Sequence, residues 1–257
     1  MRLHIIGSGC PHPLADWFGT SFILQVCDSF VMFDCGPATT HKMVKMGLNL
    51  KQVDHLFLTH HHFDHNVDFP CFALTRWDRT TDEQPLYVYG PEPTEAFTEQ
   101  LLGEEGAFAP DVKARIEHPT SQEVHRRRGG VLPRPAPVIH ARDLSCGETI
   151  TDDGWTVEAR EVKHVQPGLT SLAYRVETEE GSIVFSGDCG YCDAIVELAE
   201  GADTLQAACA MLGPGEDDEI ISDVITGSVD AARIAREAGM SRLVLSHAAP
   251  GPASPAG

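Results

Sequence analysis

Four side chains suited to holding a metal fall within six residues of this chain: His60, His62, Asp64 and His65, in Thr59-His60-His61-His62-Phe63-Asp64-His65. The run follows directly on the apolar stretch Leu56-Phe57-Leu58, which reads as part of a strand over 54–59. Ligands and catalytic groups on α/β sheets gather at strand ends and in the loops beyond them. Neutral imidazoles and a carboxylate at this density suit a borderline cation such as zinc, whereas crowded imidazoles without a metal would repel one another whenever protonated. Alternate residues of a short extended turn converge on one ion, and the Asp64-His65 pair is left for a second.

Three more residues stand where a strand-like segment ends. They are His164 after Glu161-Val162-Lys163, Asp188 in Phe185-Ser186-Gly187-Asp188, and His247 after Leu243-Val244-Leu245-Ser246. With the 60–65 cluster they complete two four-coordinate shells if one carboxylate is shared. Two metal ions bridged by a carboxylate and a hydroxide are a route to hydrolysis at neutral pH.

Composition narrows the partners. The 257 residues carry 19 Lys and Arg against 38 Asp and Glu, a formal net charge of −19, which counts against nucleic acid and anionic membranes. At 42% apolar, 22% charged and 7% aromatic, the chain is an ordinary globular one, expected to fold as a single domain over 1–257. No apolar run approaches a membrane span, and the first residues lack a signal peptide's apolar core, so a cytoplasmic protein is expected. The eight cysteines read as reduced and mostly buried, with Cys189 and Cys192, a C-x-x-C match, assigned to packing.

The chain opens with strand signals at 3–6, 21–26 and 30–33, an antiparallel meander, followed by a helix over 39–46. From 103 to about 146 the character changes, with Arg126-Arg127-Arg128 and the Pro-rich run at 133–137. This segment reads as an inserted lid or arm, and as the place for a homodimer contact. Strands resume at 156–162, 171–176, 182–185 and 242–246, with helices at 193–200 and at 228–238, the latter capped by Ser228 and stopped by Gly239. The Pro/Ala/Gly-rich stretch 248–257 is expected to be a flexible tail.

These residues, in this order, resemble the metallo-β-lactamase superfamily, and within it the ribonuclease Z-like hydrolases. The similarity runs from Gly7-Ser8-Gly9 and Gly19-Thr20-Ser21, through Phe33-Asp34-Cys35-Gly36, to 243–247. The resemblance implies an α/β fold of αββα type, a four-layer sandwich of two facing sheets with helices outside and the site in a cleft along one edge. It places His60, His62 and His164 on one metal and Asp64, His65 and His247 on the other, with Asp188 bridging. Two Zn²⁺ are implied, with Mn²⁺ or Fe²⁺ as alternatives; they would generate a bridging hydroxide near neutral pH and stabilise the oxyanion formed on attack. Asp64 and Asp188 are the implied catalytic carboxylates, Asp64 orienting that hydroxide. Two divalent ions outweigh these negative groups, so the site stays cationic inside an anionic protein.

The departures from ribonuclease Z are as informative. That enzyme carries a long arm between the residues matching His164 and Asp188, which here are only 24 positions apart. Its His-Glu pair matches Gln206-Ala207-Ala208-Cys209, and its further histidine matches Ile225-Thr226-Gly227, so the proton-delivering relay is absent here. The expectation is a dinuclear zinc hydrolase acting on a small-molecule phosphodiester or ester, with nucleic acid disfavoured as a partner. A lactonase or hydrolytic dehalogenase on the same site, a tRNA 3′-processing endonuclease, and a non-hydrolytic iron-binding or regulatory protein are the alternatives. Phe63 inside the motif, Trp77 and His12 are the candidate substrate contacts. Trp17, Phe18, Phe69 and Phe72 lie near motif loops in sequence, and Arg76 or Arg79 is a candidate for an anionic leaving group.

Overall fold

Side-chain alternation decides how the strands stack. The computed structural model describes residues 1–12, 17–210 and 223–248. β1 (Arg2–Gly7), β2 (Ser21–Val26) and β3 (Ser29–Phe33) form the expected antiparallel meander. The parallel strands β4 (Val53–Phe57), β5 (Leu86–Gly90) and β6 (Ile139–Asp143) extend it, giving a sheet in chain order. In the second sheet β7 (Thr149–Asp152), β8 (Trp155–Val162), β9 (Ser171–Thr178) and β10 (Gly181–Phe185) are antiparallel. Two parallel strands, β11 (Thr204–Ala208) and β12 (Arg242–Ser246), complete it.

Phe22, Leu24 and Val26 of β2 project between the sheets, where they meet Phe33, Trp155, Tyr174 and Phe185. Ile23 of β2 and Met32 of β3 project the other way, onto helices α1 (Thr39–Lys45), α3 (Phe69–Asp78) and α4 (Thr94–Leu102), which supply Met43, Phe69, Phe72 and Leu101 to the outer core, while the short α2 (Phe63–Asn66) precedes α3. The connection after α4 forms two further helices, α5 (Ala109–Glu117) and α6 (Pro119–Arg127). On the far side, α7 (Asp193–Ala199) and α8 (Ser228–Glu237) bury Ile195, Leu198, Ala231 and Ile234 against the second sheet. The result is the helix–sheet–sheet–helix order expected. At its centre Phe33 and Phe185 stack across the sheets at 4.0 Å between centroids, and full burial of each phenyl ring is worth about 1.5–3 kcal/mol.

Several expectations need correcting. The segment 103–146 is not one insertion, because its last part is β6, a strand of the first sheet. Among the described residues, no hydrogen bond or ion pair joins α5 or α6 to the histidine cluster. Ser228 is the first residue of α8, and Gly227 holds the cap position. Cys10, Cys35, Cys189 and Cys209 are buried, but Cys27, Cys71 and Cys146 are exposed; none of the eight is in a disulfide. Burial pushes the Cys189 thiol well above its ordinary value, which keeps it protonated and suits packing. Beyond Ala248 the expected tail lies outside the described residues. No helix among the described residues is long and apolar enough to cross a membrane.

The arm is tied down by Asp78, the last residue of α3. Its carboxylate receives Arg115 of α5 at 3.1 Å, Arg128 just after α6 at 3.3 Å and Arg134 at 3.1 Å. Arg126 and Arg127 pair with Glu123 on their own helix, so two of the Arg triplet form a solvated face. Asp78→Ala leaves the buried Arg134 without its partner and is expected to cost about 1–3 kcal/mol in urea unfolding at neutral pH, with metal content unchanged. Burial alone would raise the Asp78 carboxyl, but Arg134, Arg128 and Arg115 outweigh it and hold its pKa below the usual carboxylate value. Its stabilisation is therefore complete above about pH 4 and is lost as pH falls through the lower folded value. The Ala variant should accordingly lose less stability than wild type across that acid window.

Candidate metal centre

Topology brings the candidate ligands to one edge. β8 and β10 both run antiparallel to β9 and so share a direction, which β11 and β12 follow. The loops after β4, β8, β10 and β12 deliver His60–His65, His164, Asp188 and His247. The two sheets are joined at this edge by Leu172 N–H donating to Thr59 O at 2.8 Å and the Tyr174 hydroxyl donating to Leu58 O at 2.7 Å. Two glycines allow the close approach. A Cβ at Gly36 would fall 2.0 Å from the Asp64 carbonyl oxygen, and Gly187, at φ +57, would place one 2.8 Å from the Thr59 side chain.

One ligand atom each from His60, His62, His164 and Asp188 lies within 4.8 Å of the others, and the same holds for Asp64, His65 and His247. In the first group His60 Nε2 is 2.9 Å from His62 Nδ1, which is 3.3 Å from His164 Nε2. In the second, His247 Nε2 is 3.2 Å and His65 Nε2 3.6 Å from Asp64 Oδ2. Asp188 lies between the groups. Its Oδ1 is 3.5 Å from His65 Nε2, and its Oδ2 is 3.2 Å from His247 Nε2 and 4.0 Å from His60 Nε2.

The surroundings aim these nitrogens. His65 Nδ1–H donates to Asp34 at 2.7 Å, and His164 Nδ1–H donates to the Val224 carbonyl at 2.5 Å. The Thr59 hydroxyl donates to Asp34 and lies 3.0 Å from His60 Nδ1, whose proton it accepts. In each case the proton is held on Nδ1 and the Nε2 lone pair faces the cluster. In the sequence Asp34 stands only within the Phe33–Gly36 motif, with no role of its own, yet it orients both His65 and Thr59. Its backbone and that of His247 are left-handed, at φ 58 and φ 55, a strained state for non-glycine residues that clusters at functional sites.

Electrostatics agree with a cation. Burial would raise the Asp188 carboxyl, but His247, His65 and His60 outweigh it and hold its pKa well below the usual range. Burial, with His65 beside it, pushes His60 well below the usual imidazole value, so it is neutral and able to ligate. Burial would lower His65 as well, yet Asp188 and Asp34 outweigh it and raise it, marking a place where positive charge is stabilised. His65 Nε2 and Asp188 Oδ1 are buried with no hydrogen-bond partner. An unpaired lone pair and an unpaired carboxylate oxygen facing one another fit metal ligands, and the mixed imidazole and carboxylate set fits two divalent cations.

A sequence profile of the metallo-beta-lactamase superfamily matches residues 14–247. The chain belongs to the metallo-beta-lactamase superfamily. A ribonuclease Z from Mycobacterium sp. (strain KMS) is 30% identical over 256 residues, covering 97% of this chain and 85% of the relative. Among solved structures, the metallo-beta-lactamase fold protein YhfI from Bacillus subtilis superposes with a TM-score of 0.73 at 21% identity, over 96% of this chain and 85% of that one. The short form of human tRNase Z gives 0.72 at 20% identity, over 96% and 93%. The protein is thus a metal-dependent hydrolase of a superfamily that uses a dinuclear metal site. The name of the mycobacterial relative runs against reading the charge of −19 as an exclusion of nucleic acid.

The substrate candidates divide. Phe63 opens α2 beside His62 and is 58% exposed. Trp77 is buried, donates its indole N–H to Pro135 O at 3.0 Å and lies under Arg134, so it anchors the arm instead of facing substrate. Arg76 is likewise buried, bonded to Val53 O, Gln84 O and Asp54, and is not free for a leaving group. Phe69 and Phe72 belong to the outer core, whereas Trp17 is exposed and Phe18 lies beneath Lys42. His12 is exposed and lies 4.0 Å from Cys10, with no bond to the cluster among the described residues. His61, between two metal-ligand candidates, points away to Pro91 O and Thr94 Oγ1.

Proposed function

We propose that this hydrolase cleaves phosphodiesters of small molecules with acidic leaving groups, with zinc as its metal. The observation that carries the reading is the run from His164 to Asp188, taken up by a short loop, the β9–β10 hairpin and the turn into Asp188, with no helix or extra strand for an RNA-gripping arm. The stretch matched to a His-Glu relay is buried and bonded: Gln206 donates to Ser246 Oγ, Ala207 and Ala208 are buried, and Thr226 Oγ1 donates to the Ala208 carbonyl at 2.6 Å. A general acid contributes about 10²–10⁴-fold, and a site without one favours leaving groups that depart as stable anions.

His60, His62 and His164 would hold one ion and Asp64, His65 and His247 the other, with Asp188 touching both groups. When bound, the ions would supply Lewis acidity and a water acidic enough to attack at neutral pH. The chain's own part is orientation. Asp34 and Thr59 fix His65 and His60, Val224 fixes His164, and the Asp64 carboxylate is a proton acceptor within the cluster. Phe63 offers an aromatic face to the leaving group. Eight cysteines, none in a disulfide, support a reducing, cytoplasmic setting.

A second reading, tRNA 3′ processing, is favoured by 30% identity to a ribonuclease Z over nearly the whole chain. A screen of zinc-loaded protein against aryl and alkyl phosphodiesters, aryl esters, lactones and a 3′-extended tRNA precursor separates the readings. Aryl phosphodiesters should be cleaved about a hundredfold or more faster than alkyl ones. Faster turnover of the tRNA precursor would reject the small-molecule reading, and a lactone or haloaromatic product would redirect it. Phe63→Ala should raise KM for aryl substrates about tenfold, with kcat little changed, as expected when a stacking interaction worth roughly 1–3 kcal/mol is removed.

A further inference from the structure

Away from the metal centre, α5, α6 and the end of α3 form an open cleft of about 150 Å³ lined by Asp78, Arg115, Thr120, Ser121, Val124, His125, Arg128 and Arg134. Three guanidiniums there share one carboxylate, a local excess of positive charge in a protein of net charge −19. Among the described residues, only Arg115 has a second carboxylate, Asp111 at 2.9 Å. Arg134, with 5% of its side chain exposed, uses Nη2 on Asp78, and Arg128 uses Nη1 on the Asp78 side chain and carbonyl. Arg115 Nη2, Arg128 Nε and Nη2, and Arg134 Nε and Nη1 take no acceptor among the described residues. The buried imidazole of His125 packs its Nε2 against Gly130 and adds no donor to the cleft. Thr120 and Ser121 add hydroxyls from the first turn of α6, where the helix dipole also favours an anion.

A buried arginine needs one carboxylate; three arginines around a single Asp78 leave unused forked donors of the kind that match a tetrahedral oxyanion. We propose that this cleft is a phosphate-binding site, separate from the catalytic centre, that takes inorganic phosphate or the terminal phosphoryl group of a small molecule. The cleft holds about five waters' volume, which admits a phosphoryl group. Asp78 keeps the arginines converged before the anion arrives. The inference is independent of the substrate reading above.

Calorimetric titration of the metal-loaded protein with inorganic phosphate, with a nucleoside 5′-monophosphate, and with a dinucleoside monophosphate whose only phosphate is a diester tests it. Wild type should bind phosphate, and R115Q/R128Q should bind it at least about tenfold more weakly for each charge-assisted hydrogen bond removed, with metal content unchanged. Binding of the monophosphate as well would identify a terminal phosphoryl ligand, and its failure to bind would identify the free anion. Equal phosphate affinity in wild type and variant would assign the binding to the metal centre and overturn the proposal, as would no binding by wild type or equal binding of the diester. Should the double variant lack a cooperative melt, R128Q alone, at a half-exposed residue, carries the same expectation at a single step of about tenfold.

Discussion

Asp188→Ala should lower kcat/KM for a phosphodiester by at least about 10³-fold and strip the protein of bound metal. Among the described residues, Asp188 is the one carboxylate that faces both ligand groups, with Oδ1 toward His65 and Oδ2 toward His247 and His60. Without it neither group keeps its shared member. His125→Ala is the control, because His125 is equally buried but lies on α6, outside the ligand set. That variant should keep its metal, measured by plasma mass spectrometry, whatever it loses in stability. Equal metal loss in both variants would mean that the ligand assignment is wrong.

The second large effect belongs to Asp34, which touches no proposed ion. One carboxylate accepts from the Thr59 amide at 2.7 Å, the Thr59 hydroxyl and His65 Nδ1. Asp34→Ala leaves these donors buried and unpaired, a cost of about 3 kcal/mol or more, and frees the His65 ring to turn. Metal affinity should fall about 10–100-fold. Asp34→Asn separates the two effects. Asparagine tolerates the left-handed backbone and can still accept from Thr59, but its amide group sets a donor against His65 Nδ1–H. It should melt nearer to wild type while binding metal as poorly as the Ala variant. Full metal affinity in Asp34→Asn would remove the orienting role.

How much of this was legible in the sequence depended on distance along the chain. The 60–65 cluster could be read because its ligands are neighbours at the end of an apolar strand. His164, Asp188 and His247 could be read because each follows a strand-like run, and the parallel senses of β8, β10 and β12 bring such ends together. The role of Asp34 was hidden because its partner His65 is 31 positions away. Trp77 and Arg76 were misread for the same reason, since Trp77 bonds Pro135, 58 positions on, and Arg76 bonds Val53, 23 positions back. β6 was missed because Ile139-His140-Ala141-Arg142-Asp143 is an edge strand with no fully buried residue, so its pattern lacks an apolar face. The helices of the arm were hidden by Pro110 and Pro119, which look like breakers in sequence but open α5 and α6 in the first turn, where a missing N–H costs little.

The most direct test of a metal-dependent hydrolase built on these seven ligands is metal content and activity followed together through chelation and reconstitution of one sample. The account predicts about two ions per chain, phosphodiester hydrolysis that disappears as a chelator removes them, and recovery when zinc is restored. Fewer than about one ion per chain, with hydrolysis untouched by the chelator, would contradict it.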